Sequence, residues 1–282
     1  MYCTHCGNQI EKYFRYCRHC GSKILIETDE KKVNTTYIYL PILGIITGEL
    51  VIFYDKISYG LGIHVFNLLT IIFMVIFLSL DIKIKNVLHS LTLLIILRMV
   101  NLSIPQLFTN PIYQYLLIYG IMFIPIYSVI RNQQISYKEL GMNLRKIYIY
   151  FPAALIIGTI IGILEYKILN PVSLINEIRF SNIVIISIVM LIFVGLVEEL
   201  IFRSILQTRI EKILGSNSGI LLSGIIFGVM HSSYGIISEI LFASIFGIIL
   251  GYIFYKTRSL PFTVSIHGCA NIILYAILPK LI

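Results

Sequence analysis

Apolar residues recur along the chain in nine runs, at about 37–54, 61–80, 87–103, 112–130, 148–166, 182–202, 219–235, 237–255 and 262–279. Runs of this length suit helices that cross the roughly 30 Å hydrocarbon core of a bilayer. The pattern predicts an all-α polytopic membrane protein with eight to nine transmembrane helices. The third and seventh runs are short, so eight spans plus a re-entrant piece satisfies the same pattern. The longest polar interruption, "RNQQISYKELGMNLRKI" at 131–147, divides a front group of spans (37–130) from a back group (148–282). Small residues four apart, at Gly224/Gly228 and Gly247/Gly251, would let helices of the back group approach closely.

Composition supports this reading. Of 282 residues, 57% are hydrophobic and only 13% charged, and the mean hydropathy is +0.88. The formal net charge of +8 is therefore read as loop charge near anionic headgroups, and no nucleic-acid partner is expected. Basic residues cluster after alternate spans: Lys83 and Lys85, then Arg131, Lys138, Arg145 and Lys146, then Arg203, Arg209 and Lys212, then Lys256 and Arg258. The connections between these clusters carry few. The positive-inside rule then places the N-terminus in the cytoplasm and the C-terminus outside, in the cell membrane. Residues 1–32 are polar, charged and Cys-rich, unlike a signal peptide. Tyrosine (19 residues) must supply the interfacial anchoring, because tryptophan is absent.

Four of the five cysteines fall in "CTHCG" and "CRHCG", as Cys3, Cys6, Cys17 and Cys20. Each C-x-x-C-G knuckle can turn two thiolates toward one ion, and two knuckles make a tetrahedral four-cysteine zinc ribbon over 1–24. Paired disulfides are the alternative, suited to an extracytoplasmic terminus; the charge pattern favours zinc. His5 and His19 are bystanders, since four thiolates close the coordination. Structural zinc, and contact with a cytoplasmic protein partner, is the role expected. Residues 25–36 read as a charged linker.

Within the apolar body one stretch stands out, "VGLVEELIFRSIL" at 194–206, with Glu198, Glu199 and Arg203. Glu199 and Arg203 are four apart and can pair; Glu198 lies about 100° around the helix, which leaves its carboxylate over. Phe227 and His231 in "FGVMH", and His267 and Asn271 in "HGCAN", repeat the four-residue spacing. Counting outward from a turn at "GSNSG" (215–219) puts Glu198 and His231 within about a turn of the same depth. Cys269 points nearly opposite to His267 and suits helix packing. Glu49 and Arg98 are two further charges in apolar runs, and Glu239 is expected close to the outer surface. Intramembrane charges mark functional paths, so catalysis and ion or substrate transport both stand on these side chains alone.

At these residues the sequence resembles the CPBP family, the CAAX prenyl endopeptidases and bacteriocin-processing or bacteriocin-immunity (Abi) enzymes. The resemblance rests on Glu198-Glu199-x-x-x-Arg203, Phe227-x-x-x-His231 and His267-x-x-x-Asn271, in order, and covers roughly 135–282. It implies an intramembrane endopeptidase acting on a membrane-delivered or CAAX-like peptide. By that resemblance Glu198 is the general base, His231 holds water or a metal ion, His267 and Asn271 stabilise the oxyanion, and Glu199, Arg203 and Phe227 support them. The family is commonly called a metalloprotease family. A catalytic zinc on one glutamate and two histidines is one arrangement; the metal-free one, in which the carboxylate holds the water directly, is favoured, and H-E-x-x-H is absent. A non-catalytic immunity or scaffold protein is the alternative, and a transporter follows, although the front spans carry no counterpart of the polar motifs.

Overall fold

A computed structural model describes residues 3, 5–9, 16–22, 34–104 and 110–282. The chain forms two compact units, Met1–Asn34 and Thr35–Ile282. Most of the linker read at 25–36 lies outside the described residues.

In the first unit two knuckles repeat one backbone pattern. Gly7 N–H donates to Cys3 O and Cys3 N–H to Asn8 O; Gly21 N–H donates to Cys17 O and Cys17 N–H to Ser22 O. Gly7 and Gly21 both sit at φ +71°, a conformation that opens to glycine at little cost. The turns bring the four Sγ atoms within 4.8 Å of one another. Cys3–Cys20 and Cys6–Cys17 are 3.7 and 3.6 Å apart. A ZnS₄ tetrahedron with Zn–S bonds of about 2.3 Å has edges of roughly 3.8 Å. The donor set therefore fits zinc, and the separations are far too long for disulfides.

The second unit is helical, with no β-strand among its described residues. Its helices are α1 (Thr36–Phe53), α2 (Ile57–Phe77), α3 (Ile82–Ser103), α4 (Pro111–Asn132), α5 (Ile147–Leu169), α6 (Phe180–Leu214), α7 (Ser216–Val229), α8 (Ile237–Thr257) and α9 (Leu260–Leu281). Eight of them are long and apolar enough to cross a membrane; α7, with 14 residues, is the short one. The predicted seventh run, 219–235, therefore breaks: α7 stops at Val229, and a 3₁₀ turn at Ser232–Tyr234 leads into α8.

Small residues set the closest helix contacts. In the α7–α8 hairpin a Cβ on Gly228 would lie 2.0 Å from Ser244 Oγ, and one on Gly247 would lie 2.8 Å from Gly224 O. The two stripes read from the sequence thus meet each other. A stripe not read there joins α5 to α9: a Cβ on Gly158 would meet Ile266 O at 2.6 Å, and one on Gly162 would meet Ala270 O at 2.6 Å. Cys269 lies in this seam beside Thr159 and Leu155 O.

The polar segment 131–147 is fastened to one end of the bundle. Leu260 N–H donates to Gly141 O (2.8 Å), Ser204 Oγ to Leu140 O (2.7 Å) and Ser259 Oγ to Asn143 O (3.0 Å). Arg209 bonds Gln133 and Glu139, Lys212 also bonds Glu139, and Arg258 pairs with Glu211 at 2.7 Å. Partial burial raises the Glu139 carboxyl, but hydrogen bonds from Lys212 and Arg209 outweigh it and hold the group at about 2. Arg209 and Lys212 in the last turns of α6 and Arg258 after α8 therefore gather at the end of the bundle that holds the 131–147 segment. Arg203 is not among them. The sequence groups it with the loop charges, yet it is 1% exposed inside α6, which continues a further three turns to Leu214. At about 1.5 Å per residue, 35 residues span roughly 50 Å, so α6 outruns any hydrocarbon core and its last turns can hold Arg209 and Lys212 in the polar layer.

Candidate active site

Two of the helices that carry the motifs are locally widened. In α6, stretches with i→i+5 hydrogen bonding, Val189–Gly195 and Leu200–Gln207, flank the short α-helical piece Leu196–Glu199. In α9 a similar stretch, Ile273–Ile277, follows Asn271 directly. Such widened turns leave backbone groups imperfectly paired and are frequent at functional sites, because they re-aim neighbouring side chains.

Glu199 and Arg203 are buried, with Oε1 and Nη1 3.1 Å apart. The Arg203 guanidinium lies 4.5 Å from the Phe227 ring centroid and donates to Gly247 O at 3.3 Å. Phe227 therefore gives the cation an aromatic face, and α8 gives it a carbonyl. His267 bridges the two carboxylates. Its Nδ1 is 2.9 Å from Glu199 Oε1, and its Nε2 is 3.6 Å from Glu198 Oε2. The Phe227 ring stands edge-on to His267 at 5.7 Å.

His231 lies beyond the end of α7, not on its face. Its Nδ1 stands 2.9 Å from Phe227 O, a helix-terminal carbonyl with no later N–H to accept from. The four-residue spacing survives as a side-chain cap: Nδ1–H donates, and Nε2 is left for the cavity. Glu198, His231, His267 and Asn271 all line one cavity of about 260 Å³. The sequence-derived set is thus brought together by α6, the turn after α7, and α9.

Other side chains of this cavity carry no recognisable motif. Tyr119 of α4 donates its hydroxyl to Glu198 Oε1 at 2.5 Å, so Glu198 is not left over as its isolation from Arg203 suggested. Tyr115 and Glu165 also line the wall, as do Tyr234 and Tyr275, whose hydroxyls are 2.5 Å apart. Glu239, expected close to the outer surface, is fully buried and lies beside Glu165. None had a spacing to reveal it, and a tyrosine in an apolar run reads as an interfacial anchor.

Glu49 and Arg98 pair across α1 and α3. Arg98 Nε and Nη2 reach the two Glu49 oxygens at 2.7 and 2.6 Å, and His64 Nε2 lies 3.2 Å from Glu49. The network then grips the turn that follows α7. Arg98 donates to Met230 O and, at 3.4 Å, to Ser233 Oγ, and Ser232 Oγ donates to Glu49 at 2.5 Å. Both charges are almost wholly buried. Removing one leaves the other unpaired, which typically costs about 3–5 kcal/mol. Arg98→Met should lower the melting temperature of the protein in nanodiscs sharply, and Glu49→Gln/Arg98→Met should recover part of the loss. Additive losses would show that the pair is not coupled.

Among the described residues, the four ribbon thiols form the one group of three or more His, Cys, Asp or Glu side chains whose ligand atoms all lie within 4.8 Å of one another. Glu198, His231 and His267 do not form a second. The cavity presents Glu198, His231, His267 and Asn271 as hydrogen-bonding groups, beside Glu165 and the side chains of Tyr115, Tyr119, Tyr234 and Tyr275.

The helical membrane body thus brings a Glu/His/His/Asn set to one cavity. Residues 180–273 match the family of type II CAAX prenyl endopeptidases, Rce1-like, and residues 2–24 match the zinc-ribbon domain. The eight apolar helices and the first match support an integral membrane protein with a protease-like segment, and the second match together with the four-cysteine cluster supports a zinc ribbon. No curated protein and no solved structure matches it.

Proposed function

We propose that the protein is an intramembrane endopeptidase that hydrolyses a peptide bond in a membrane-delivered or CAAX-like substrate without a catalytic metal. The observation that carries this reading is His267 set between Glu198 and Glu199 on the wall of a cavity that His231 and Asn271 also line.

In this reading Glu198 is the general base. It takes a proton from a water in the cavity as that water attacks the scissile carbonyl carbon, forming the new C–O bond. Glu199, held by Arg203, accepts from His267 Nδ1–H and fixes the ring. Nε2–H of the doubly protonated ring, with the Asn271 amide, donates to the oxygen that becomes negative in the tetrahedral intermediate. His231, with Nδ1 committed to Phe227 O, turns Nε2 toward the attacking water. The C–N bond then breaks, and Glu198 returns its proton to the leaving amine. No acyl-enzyme forms. In this reading the protein lies in the cell membrane with its N-terminus and ribbon in the cytoplasm, where the ribbon can meet a protein partner; the alternating basic clusters support that orientation through the positive-inside rule.

The test is a comparison of membrane peptides from cells expressing the wild-type protein and Glu198→Gln. Peptides that accumulate uncleaved only with Glu198→Gln are the expected result. Identical peptide profiles at equal protein levels would refute the assignment.

A further inference from the structure

The matched segment begins at Phe180, yet one contact to Glu198 comes from far outside it. Tyr119, on α4, is 5% exposed and its ring stacks on Tyr115 at 6.2 Å with the planes 15° apart. The stacked pair fixes the ring, and the hydroxyl reaches Glu198 Oε1 at 2.5 Å. The other oxygen, Oε2, is the one near His267.

We propose that Tyr119 is a positioning residue of the active site: its hydroxyl holds Glu198 Oε1 so that Oε2 faces the cavity as an ionised base. The proposal rests on the reading of Glu198 as the base and extends it to α4. A buried carboxylate needs such help, because desolvation and neighbouring negative charge both favour its neutral form. The groups around it pull in both directions. Glu199 on α6 and Glu165 on α5 bring negative charge; Arg203 on α6 brings positive charge, as do His231 and His267 when protonated. Arg98 on α3 is spent on Glu49, and Tyr115 and Tyr234 carry no charge to offer. Glu199, the nearest competitor for cations, already holds Arg203 and His267 Nδ1. The Tyr119 O–H is thus the donor within hydrogen-bond reach that stabilises the charge on Glu198 without adding one.

The experiment is an infrared titration of the full-length protein in nanodiscs, following protonated-carboxyl bands in wild type, Glu198→Gln and Tyr119→Phe. The band lost in Glu198→Gln identifies Glu198. In Tyr119→Phe its midpoint should rise by about one pH unit. Tyr127→Phe, on the exposed face of the same helix, should leave it in place. Membrane-peptide cleavage by Tyr119→Phe should weaken at neutral pH and recover as the pH is raised, which a purely structural defect would not do. A Glu198 band with the same midpoint in both proteins, or none that differs between them, overturns the proposal. A raised midpoint with cleavage intact in Glu198→Gln would instead retain the hydrogen bond and remove the catalytic reading of Glu198.

Discussion

Glu198→Gln should lower the single-turnover rate of cleavage by about 10³–10⁴-fold, equivalent to roughly 4–5.5 kcal/mol of transition-state stabilisation. The amide keeps the size of the side chain and can still accept from Tyr119, so the fold should be little changed. What it loses is the ability to take a proton from water and return it to the leaving amine. Glu199→Gln should behave differently. Glu199 is fully buried against Arg203, and neutralising it orphans a guanidinium that has otherwise only an aromatic face and the Gly247 carbonyl. That change should cost about 3–5 kcal/mol of stability. Adjacent residues of one motif thus separate into a rate defect with a normal melting temperature and a melting defect. Rate measurements paired with thermal denaturation in nanodiscs check both. A Glu198→Gln protein that melts early and cleaves normally per folded molecule would reverse the assignment.

Removing zinc should unfold the N-terminal ribbon and leave the helical body standing. The four thiols are spaced for one tetrahedral ion, and the described ribbon residues bury little besides Cys3, Cys17 and part of Cys6. A ribbon matched over residues 2–24 is too short for a large core, so metal binding must supply most of the folding energy; structural zinc in short peptides contributes about 10–16 kcal/mol of apparent binding energy at neutral pH. Purified full-length protein should hold one zinc per chain by elemental analysis. A strong chelator, or Cys3→Ser/Cys6→Ser, should expose the first 34 residues to protease while the remaining fragment keeps its melting transition. A protein without zinc, or a ribbon that resists protease after chelation, would contradict the metal-held fold.

The residues that were legible in the sequence share one property: each stands in a short fixed spacing, four apart along an apolar run or three apart in a cysteine knuckle. Glu199–Arg203 is the plainest case, because helical spacing alone makes the contact. His231 shows the limit of that logic. Its distance from Phe227 was right, but hydropathy does not show where a helix stops, and α7 ends before the histidine. The widened turns of α6 and α9 are invisible for the same reason, since inserting an i→i+5 turn leaves an apolar run apolar. Tyr119 and Glu198 are 79 positions apart, and Arg98 and Met230 are 132 apart. No local pattern reports such pairs. Glu49 and Arg98 were visible as costly charges, but their cost points to a partner somewhere without naming it. Arg203 reads as a loop charge because a buried arginine and a loop arginine look alike until their acceptors are known.

The clamp of Glu49 and Arg98 on the turn after α7 also bears on what can be transplanted. The matched stretch starts at α6, whereas one donor to its glutamate and the grip on the turn that carries its first histidine come from α4 and from α1 with α3. Inheritance and mechanics therefore use different lengths of chain. A chimera that kept only the recognisable stretch would carry every signature residue and lack the parts that hold two of them still. A two-piece protein cut within 131–147 should instead reassemble, because the buried ion pair and the tyrosine would act as the latch between the pieces.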